Sequence, residues 1–211
     1  RDRYACTNDG LFHTTDGWIT STQENAGQFF DVEFHPTDSE IVYASSDDRI
    51  YKLCCGNSSF QTSDTGISES NSIRADITVT ATAPDLVYAV YIGNDRSLGG
   101  IYLSVDGAET WALVLNGNLN LSASTDANDP EDNGQGEYCS VFYADPEVPA
   151  KLYYGCVNLW SSPTAGISWG QLTDWTSDDD VHADFHDLVR NPYSGSLIAV
   201  CFEATDGSLR S

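Results

Sequence analysis

The residues best suited to chemistry lie near the end of the chain, in His182-Ala183-Asp184-Phe185-His186. On a strand, residues 182, 184 and 186 point to one face. Two imidazoles and a carboxylate on one face can bind a transition metal or hold a polar ligand. They can equally serve as hydrogen-bond partners for neighbouring strands. Asp184 is also the best single candidate for a catalytic carboxylate, but glycoside hydrolysis needs two carboxyl groups about 5–10 Å apart and the sequence singles out no pair. A second candidate is Asp129-Pro130-Glu131-Asp132-Asn133-Gly134, which follows the D-x-[DN]-x-[DN]-G opening of a calcium loop with Glu in the second ligand place. The expected calcium ligands are Asp129, Glu131, Asn133 and, at the ninth position, Glu137; Ser140 stands where a bidentate Glu is usual. The polar stretch 122–137 reads equally as an insertion that binds nothing. Asp178-Asp179-Asp180 reads as a solvated loop. Trp160 and Trp175 are the indoles free to stack on a sugar ring. No cofactor beyond calcium is implied, and no G-x-S-x-G, P-loop or H-E-x-x-H pattern is present.

Charge and cysteine usage narrow the setting. The 211 residues carry a formal net charge of −23, which excludes nucleic acid and anionic membrane surfaces as partners, since both need a basic face. No apolar run approaches the roughly 18 residues of a membrane span, so no membrane insertion is expected. Six cysteines without C-x-x-C spacing favour an oxidising compartment over zinc chemistry. A secreted, extracellular chain is therefore expected. Cys139 and Cys156 flank a turn near Glu147 and Val148 and can bridge if their Cβ atoms lie about 3.5–4.5 Å apart. Adjacent Cys54 and Cys55 would be strained if bonded to each other, so each is expected to reach another partner. Asn57-Ser58-Ser59 and Asn120-Leu121-Ser122 are glycosylation sequons. The chain contains no Met and begins and ends abruptly, as an excerpt or processed product would.

The elements that must position these groups read as short strands. Phe30-Asp31-Val32-Glu33-Phe34-His35 alternates apolar and polar residues, as a half-buried strand does. Turns at Pro36, Pro84, Pro146 and Pro192 recur between paired strand signals. Further along each unit comes a corner, fullest in Ser104-Val105-Asp106-Gly107-Ala108-Glu109-Thr110-Trp111. There Asp can accept backbone N–H bonds, Gly permits positive φ, and Trp can fold back over the hairpin. Thr14-Thr15-Asp16-Gly17-Trp18 reads as a shortened copy with Trp directly after Gly. Residues 53–60 keep the length but place Cys55 at the Asp position, and residues 162–169 place Thr164 there. Ser211 would open another copy. The starts at 14, 53, 104, 162 and 211 give a repeat of roughly 40–50 residues, the period of propeller blades.

The 104–111 pattern resembles the Asp-box, or BNR, repeat S-x-D-x-G-x-T-W of sialidases, sortilin-type receptors and xyloglucanase-type glycosidases, with Ala108 replacing the family's Gly. The resemblance implies an all-β fold: a β-propeller of four-stranded antiparallel blades, incomplete at both ends, with about four to five blades. The single domain would divide into units near 1–28, 29–72, 73–120, 137–177 and 181–211. Asp16, Gly17, Ser104, Asp106, Gly107, Trp111, Ser162, Gly166 and Trp169 would be structural corner residues, with Trp111 and Trp169 in the core. The H-x-D-x-H stretch is similar to an element preceding the last boxes of many secreted Asp-box proteins, and on an innermost strand it would look into the central channel. The arginine triad and Tyr/Glu pair of the sialidases find no match. The implied function is a secreted, non-catalytic recognition or assembly module. Its partner would be a carbohydrate or an extracellular protein, and the ring would be completed either by the missing blades of a longer chain or by further copies of the chain through strand exchange. The alternative is a fragment of a glycoside hydrolase.

Overall fold

The computed structural model describes residues 2–177, 181–191 and 193–201. The Asp178-Asp179-Asp180 run, Pro192 and the corner expected at Ser211 lie outside them. The described residues form strands and no helix, in five antiparallel sheets that each run in chain order. The first holds β1 (Arg3–Cys6), β2 (Gly10–Thr14) and β3 (Thr22–Ala26). The second holds β4 (Phe29–Phe34), β5 (Val42–Ser46), β6 (Ile50–Leu53) and β7 (Gln61–Thr62). The third holds β8 (Ser72–Val79), β9 (Val87–Gly93), β10 (Leu98–Ser104) and β11 (Ala112–Asn116). The fourth holds β12 (Val141–Ala144), β13 (Leu152–Gly155), β14 (Leu159–Ser162) and β15 (Gly170–Gln171). The last pairs β16 (Phe185–Arg190) with β17 (Leu197–Cys201).

Burial explains the order within a sheet. β5 and β9 are buried almost throughout on both faces, as a strand sandwiched between neighbouring sheets must be, β9 on apolar residues alone up to Gly93 and β5 on Val42, Tyr43 and Ala44 followed by buried Ser45 and Ser46. The terminal strands β3, β7, β11 and β15 are short and largely exposed. The leading strands pack in succession, β1 on β4, β4 on β8, β8 on β12 and β12 on β16. The sheets therefore fan out from one line of strands, which is the arrangement of a β-propeller. An apolar layer fills each gap: Leu11, Phe29 and Phe60 between the first two sheets, Tyr43, Ile77 and Trp111 between the second and third, Tyr88, Ile101 and Phe142 between the third and fourth, and Leu159, Phe185 and Leu188 beyond. Each fully buried side chain of this kind contributes about 1.5–3 kcal/mol.

Connections alternate between the two ends of an antiparallel sheet. The Pro turns and the corners share one end, and the turns after β5, β9 and β13 share the other with the links between sheets. At the corner of the third sheet, Asp106 accepts the N–H groups of Glu109 and Thr110 at 3.1 and 2.9 Å and the Thr110 hydroxyl at 2.6 Å. Ser104 Oγ accepts the Ala108 N–H at 2.8 Å. The Trp111 indole N–H donates to Ser63 O at 2.8 Å, tying the corner to the second sheet.

Two expectations about corners are corrected. The first corner is not shortened: Thr20 N and Oγ1 donate to Asp16 at 3.0 and 2.7 Å, and Trp18 N donates to Thr14 Oγ1 at 3.2 Å, reproducing the 104–110 pattern. Trp18 occupies the place of Ala108, with φ of 73° against 69°, so its indole is a left-handed turn residue and not the plug. In the second sheet, Cys55 does not replace Asp; residues 54–57 form a β-turn closed by Asn57 N to Cys54 O at 2.9 Å, with φ of 63° at Cys55 and 77° at Gly56. In the fourth, the Thr164 hydroxyl does take the carboxylate's part, accepting Ser168 N at 2.9 Å while Ser162 Oγ accepts Gly166 N at 3.0 Å.

Candidate functional site

The leading strands carry the charged groups of the inner line. Asp31 on β4 reaches across to β8, where Oδ2 accepts the Ile77 N–H at 2.9 Å while Oδ1 accepts Val32 N at 2.8 Å. Burial, followed by the neighbouring Asp76 carboxylate, pushes Asp31 up to about 6 against the pull of those N–H bonds. Glu33 lies two residues further on the same strand face. Burial, reinforced by the Asp31 charge, pushes Glu33 up to about 8. Asp76 is deeply buried and fully engaged: Arg74 Nε donates to its two oxygens at 3.1 and 3.0 Å and the Ser140 hydroxyl donates at 2.5 Å. Arg74 Nη2 also donates to Ser140 O at 2.6 Å, and its guanidinium lies 5.7 Å over the Phe30 ring. This network clamps the second, third and fourth sheets together. Its signal in the sequence was the polar face of Phe30-Asp31-Val32-Glu33-Phe34, which reads as solvent-facing but in a radial fold faces the next sheet.

The expected face of His182, Asp184 and His186 does not form. β16 begins only at Phe185, Asp184 has φ of 71°, and the pairing with β17 shifts register between Phe185 and Asp187. Strict alternation therefore fails across the motif. His182 is exposed. His186 packs edge-on against Tyr138 with ring centroids 4.8 Å apart. Burial lowers its basicity, the nearby Asp184 charge opposing. Among the described residues no three His, Cys, Asp or Glu side chains gather as a metal site.

The calcium set fares no better, for a chemical reason. Asp132 is the organiser of the insertion: its carboxylate accepts the N–H groups of Ser124, Thr125 and Asp126 at 2.9, 2.6 and 3.2 Å and the Thr125 hydroxyl at 2.9 Å. Burial opposes its charge, but these bonds outweigh it and lower its pKa. Asp129 accepts Glu131 N at 2.9 Å. The Asp132 carboxylate is thus taken up by N–H and hydroxyl donors, where a cation cage needs free oxygens. Asp129, Glu131, Asn133 and Glu137 are not assembled into a calcium site: among the described residues no three His, Cys, Asp or Glu side chains gather there. Asn120 is also corrected as a sequon. It is buried, its Oδ1 accepts Leu98 N and Ser122 N at 2.8 and 3.1 Å, and its Nδ2 donates to Asp132 O at 2.7 Å. Asn57 lies exposed in the 54–57 turn.

Trp160 is buried between the third and fourth sheets and is unavailable for stacking. Trp175 is 40% exposed, and it braces the insertion by donating from its indole to Ser124 O at 2.5 Å. Cys139 and Cys156 are both buried and held as thiols, so the expected bridge is not formed. Their sulfurs are in contact, and that contact, followed by burial, pushes the Cys139 thiol far up. Cys54 contacts Cys55 rather than a distant partner. A cleft of about 240 Å³ opens between the insertion and the turn after β9, lined by Asp95, Asn118, Asn128, Asp129 and Asn133 among others.

No protein-family model and no curated protein matches the sequence. Solved structures do resemble the fold. An ancestral GH74 enzyme superposes with a TM-score of 0.68 at 16% identity over 94% of this chain and 25% of that one. The GH74 xyloglucanase from Xanthomonas campestris gives 0.51 at 17% identity over 94% and 26%. An auxiliary nutrient binding protein from Bacteroides thetaiotaomicron gives 0.56 at 11% identity over 94% and 56%. The chain spans about a quarter of the length of the two GH74 enzymes. At these identities the likeness is one of fold, and the fold is that of a β-propeller.

Proposed function

We propose that the chain is a secreted recognition module of the Asp-box type, binding carbohydrate at the end of the propeller opposite the corners. One observation carries this reading. The inner carboxylates of Asp31 and Asp76 are engaged in joining sheets, whereas the opposite loops form a polar cleft lined by exposed Asp and Asn side chains. Convergence of donors and acceptors in a preformed cleft is what binding requires. The shared bonding of Asp16, Asp106 and Thr164 supports the Asp-box assignment. Glycan-array binding paired with hydrolysis assays on the same polysaccharides tests the proposal. Binding without turnover is the expected result, and turnover would overturn the non-catalytic part.

A second reading, as part of a glycoside hydrolase, is favoured by Asp31 and Glu33. They share a strand face and differ in proton affinity, as an acid and a base do. Glu33→Gln would abolish hydrolysis on that reading and leave glycan binding unchanged on the first.

A further inference from the structure

We propose that the cleft between the turn after β9 and the 117–135 insertion seats one neutral, polyhydroxylated ring, a single sugar residue, through paired hydroxyls. The inference rests on the carbohydrate reading and locates it. The cleft walls are fixed before any ligand arrives. Gly136 N donates to Arg96 O at 3.0 Å, tying the end of the insertion to the turn after β9, and Gln135 N donates to Ser122 O at 3.1 Å, closing the insertion on itself. Gly134 has φ of 72°, and a Cβ there would overlap the Ser122 carbonyl. Asp132 and Asn120 fasten the interior of the loop as described above. A site held this way loses little entropy on binding.

The wall groups fall into two sets. Asp95 Oδ1 accepts the Ser97 N–H and hydroxyl at 3.1 and 2.6 Å, and Asp129 Oδ1 accepts Glu131 N. The second oxygen of each carboxylate and the carboxamides of Asn118 and Asn133 take no part in this bonding. Two carboxylate oxygens only accept; a carboxamide both accepts and donates two N–H groups. An ammonium or guanidinium ligand has donors alone, so it would leave the N–H groups of the Asn118 and Asn133 carboxamides without a partner on the ligand. A bare cation finds no gathered set of three His, Cys, Asp or Glu side chains among the described residues, and the third carboxylate of the lining, Asp132, is occupied by the N–H groups of residues 124–126. A hydroxyl donates and accepts at one atom, so a vicinal pair can satisfy a carboxylate oxygen and an amide N–H together. A volume of about 240 Å³ suits one ring, with the rest of an oligosaccharide lying outside. An acidic sugar would bring its carboxylate against Asp95 and Asp129 and be rejected.

The test is titration calorimetry of the full chain with cellotetraose as a neutral probe and tetragalacturonate as an acidic one, on the wild type, Asn133→Ala, Asn118→Ala and the distant Tyr193→Ala. Both Asn changes remove groups outside the loop's own bonding, and unchanged melting temperatures confirm folding. Neutral binding that weakens at least tenfold in both Asn variants but not in Tyr193→Ala, with no binding of the acidic probe, is the expected result. Neutral binding unchanged by the Asn variants, or equal binding of the acidic probe, overturns the cleft assignment while leaving carbohydrate recognition standing. Failure of the neutral probe with the wild type, together with an empty glycan array, overturns both.

Discussion

Raising the pH from 5 to 8 is expected to destabilise this protein, because two inner carboxyl groups favour the proton in the folded state. Asp31 is raised from 3.8 to about 6 by burial and by Asp76, and Glu33 from 4.5 to about 8 by burial and by Asp31. A group whose folded pKa exceeds its unfolded value contributes stability below the unfolded pKa and loses it as pH rises through the folded one. The window therefore runs from about pH 4 to about pH 8. At 1.36 kcal/mol per unit, Asp31 alone is worth about 3 kcal/mol. Glu33 is partly open to solvent and shares the same repulsion, so the two together are worth roughly 3–5 kcal/mol, less than their sum. For a chain of this length, 3 kcal/mol moves the melting temperature by roughly 6–12 °C. His186, held below its usual value, acts in the opposite sense, so the informative comparison is between wild type and variant. The assay is thermal melting at pH 5, 6.5 and 8 of the wild type, Asp31→Asn and Glu33→Gln. Each variant should flatten the fall seen in the wild type, with Glu33→Gln more stable than wild type at pH 8. Parallel profiles for all three would refute the placement of these groups.

Removing the corner carboxylate with Asp106→Ala is expected to cost about 1–2 kcal/mol in denaturant melts, as loss of a multiply bonded cap does. Trp111→Ala should cost about 3–5 kcal/mol, since it empties a core site and frees Ser63 O. After secretion from a eukaryotic host, peptide mass mapping should find glycan on Asn57 and none on Asn120. Oxidation with glutathione disulfide should remove two hydrogens across Cys139 and Cys156, seen as a linked peptide pair, and should raise the melting temperature; a mixed disulfide at either residue instead would show that the sulfurs are not in contact.

The regular parts of the fold were legible because each rests on a local rule. Pro36, Pro84 and Pro146 sit in matching turns, and the apolar runs of β5 and β9 announce strands covered on both faces. The corners were legible where side-chain bonding and residue type agree, at 104–111 and 162–169. They misled where backbone conformation broke the pattern: Trp18 adopts the left-handed place usually given to Gly, and Cys55-Gly56 turns one residue early. The His182, Asp184 and His186 face failed because strand periodicity was extended into a loop with positive φ at Asp184. The calcium pattern failed because oxygen-bearing residue types say nothing about which way the backbone N–H groups point. Asp31 and Glu33 were missed because an alternating strand shows which residues share a face, not whether that face meets water or another sheet.

On the proposed function, recognition belongs to the loop end of the propeller. Hydrogen–deuterium exchange with and without saturating cellotetraose is the decisive experiment. Added protection confined to residues 94–97 and 117–135 is the predicted result. Protection at the Pro turns and corners instead, with none in those two segments, would contradict it.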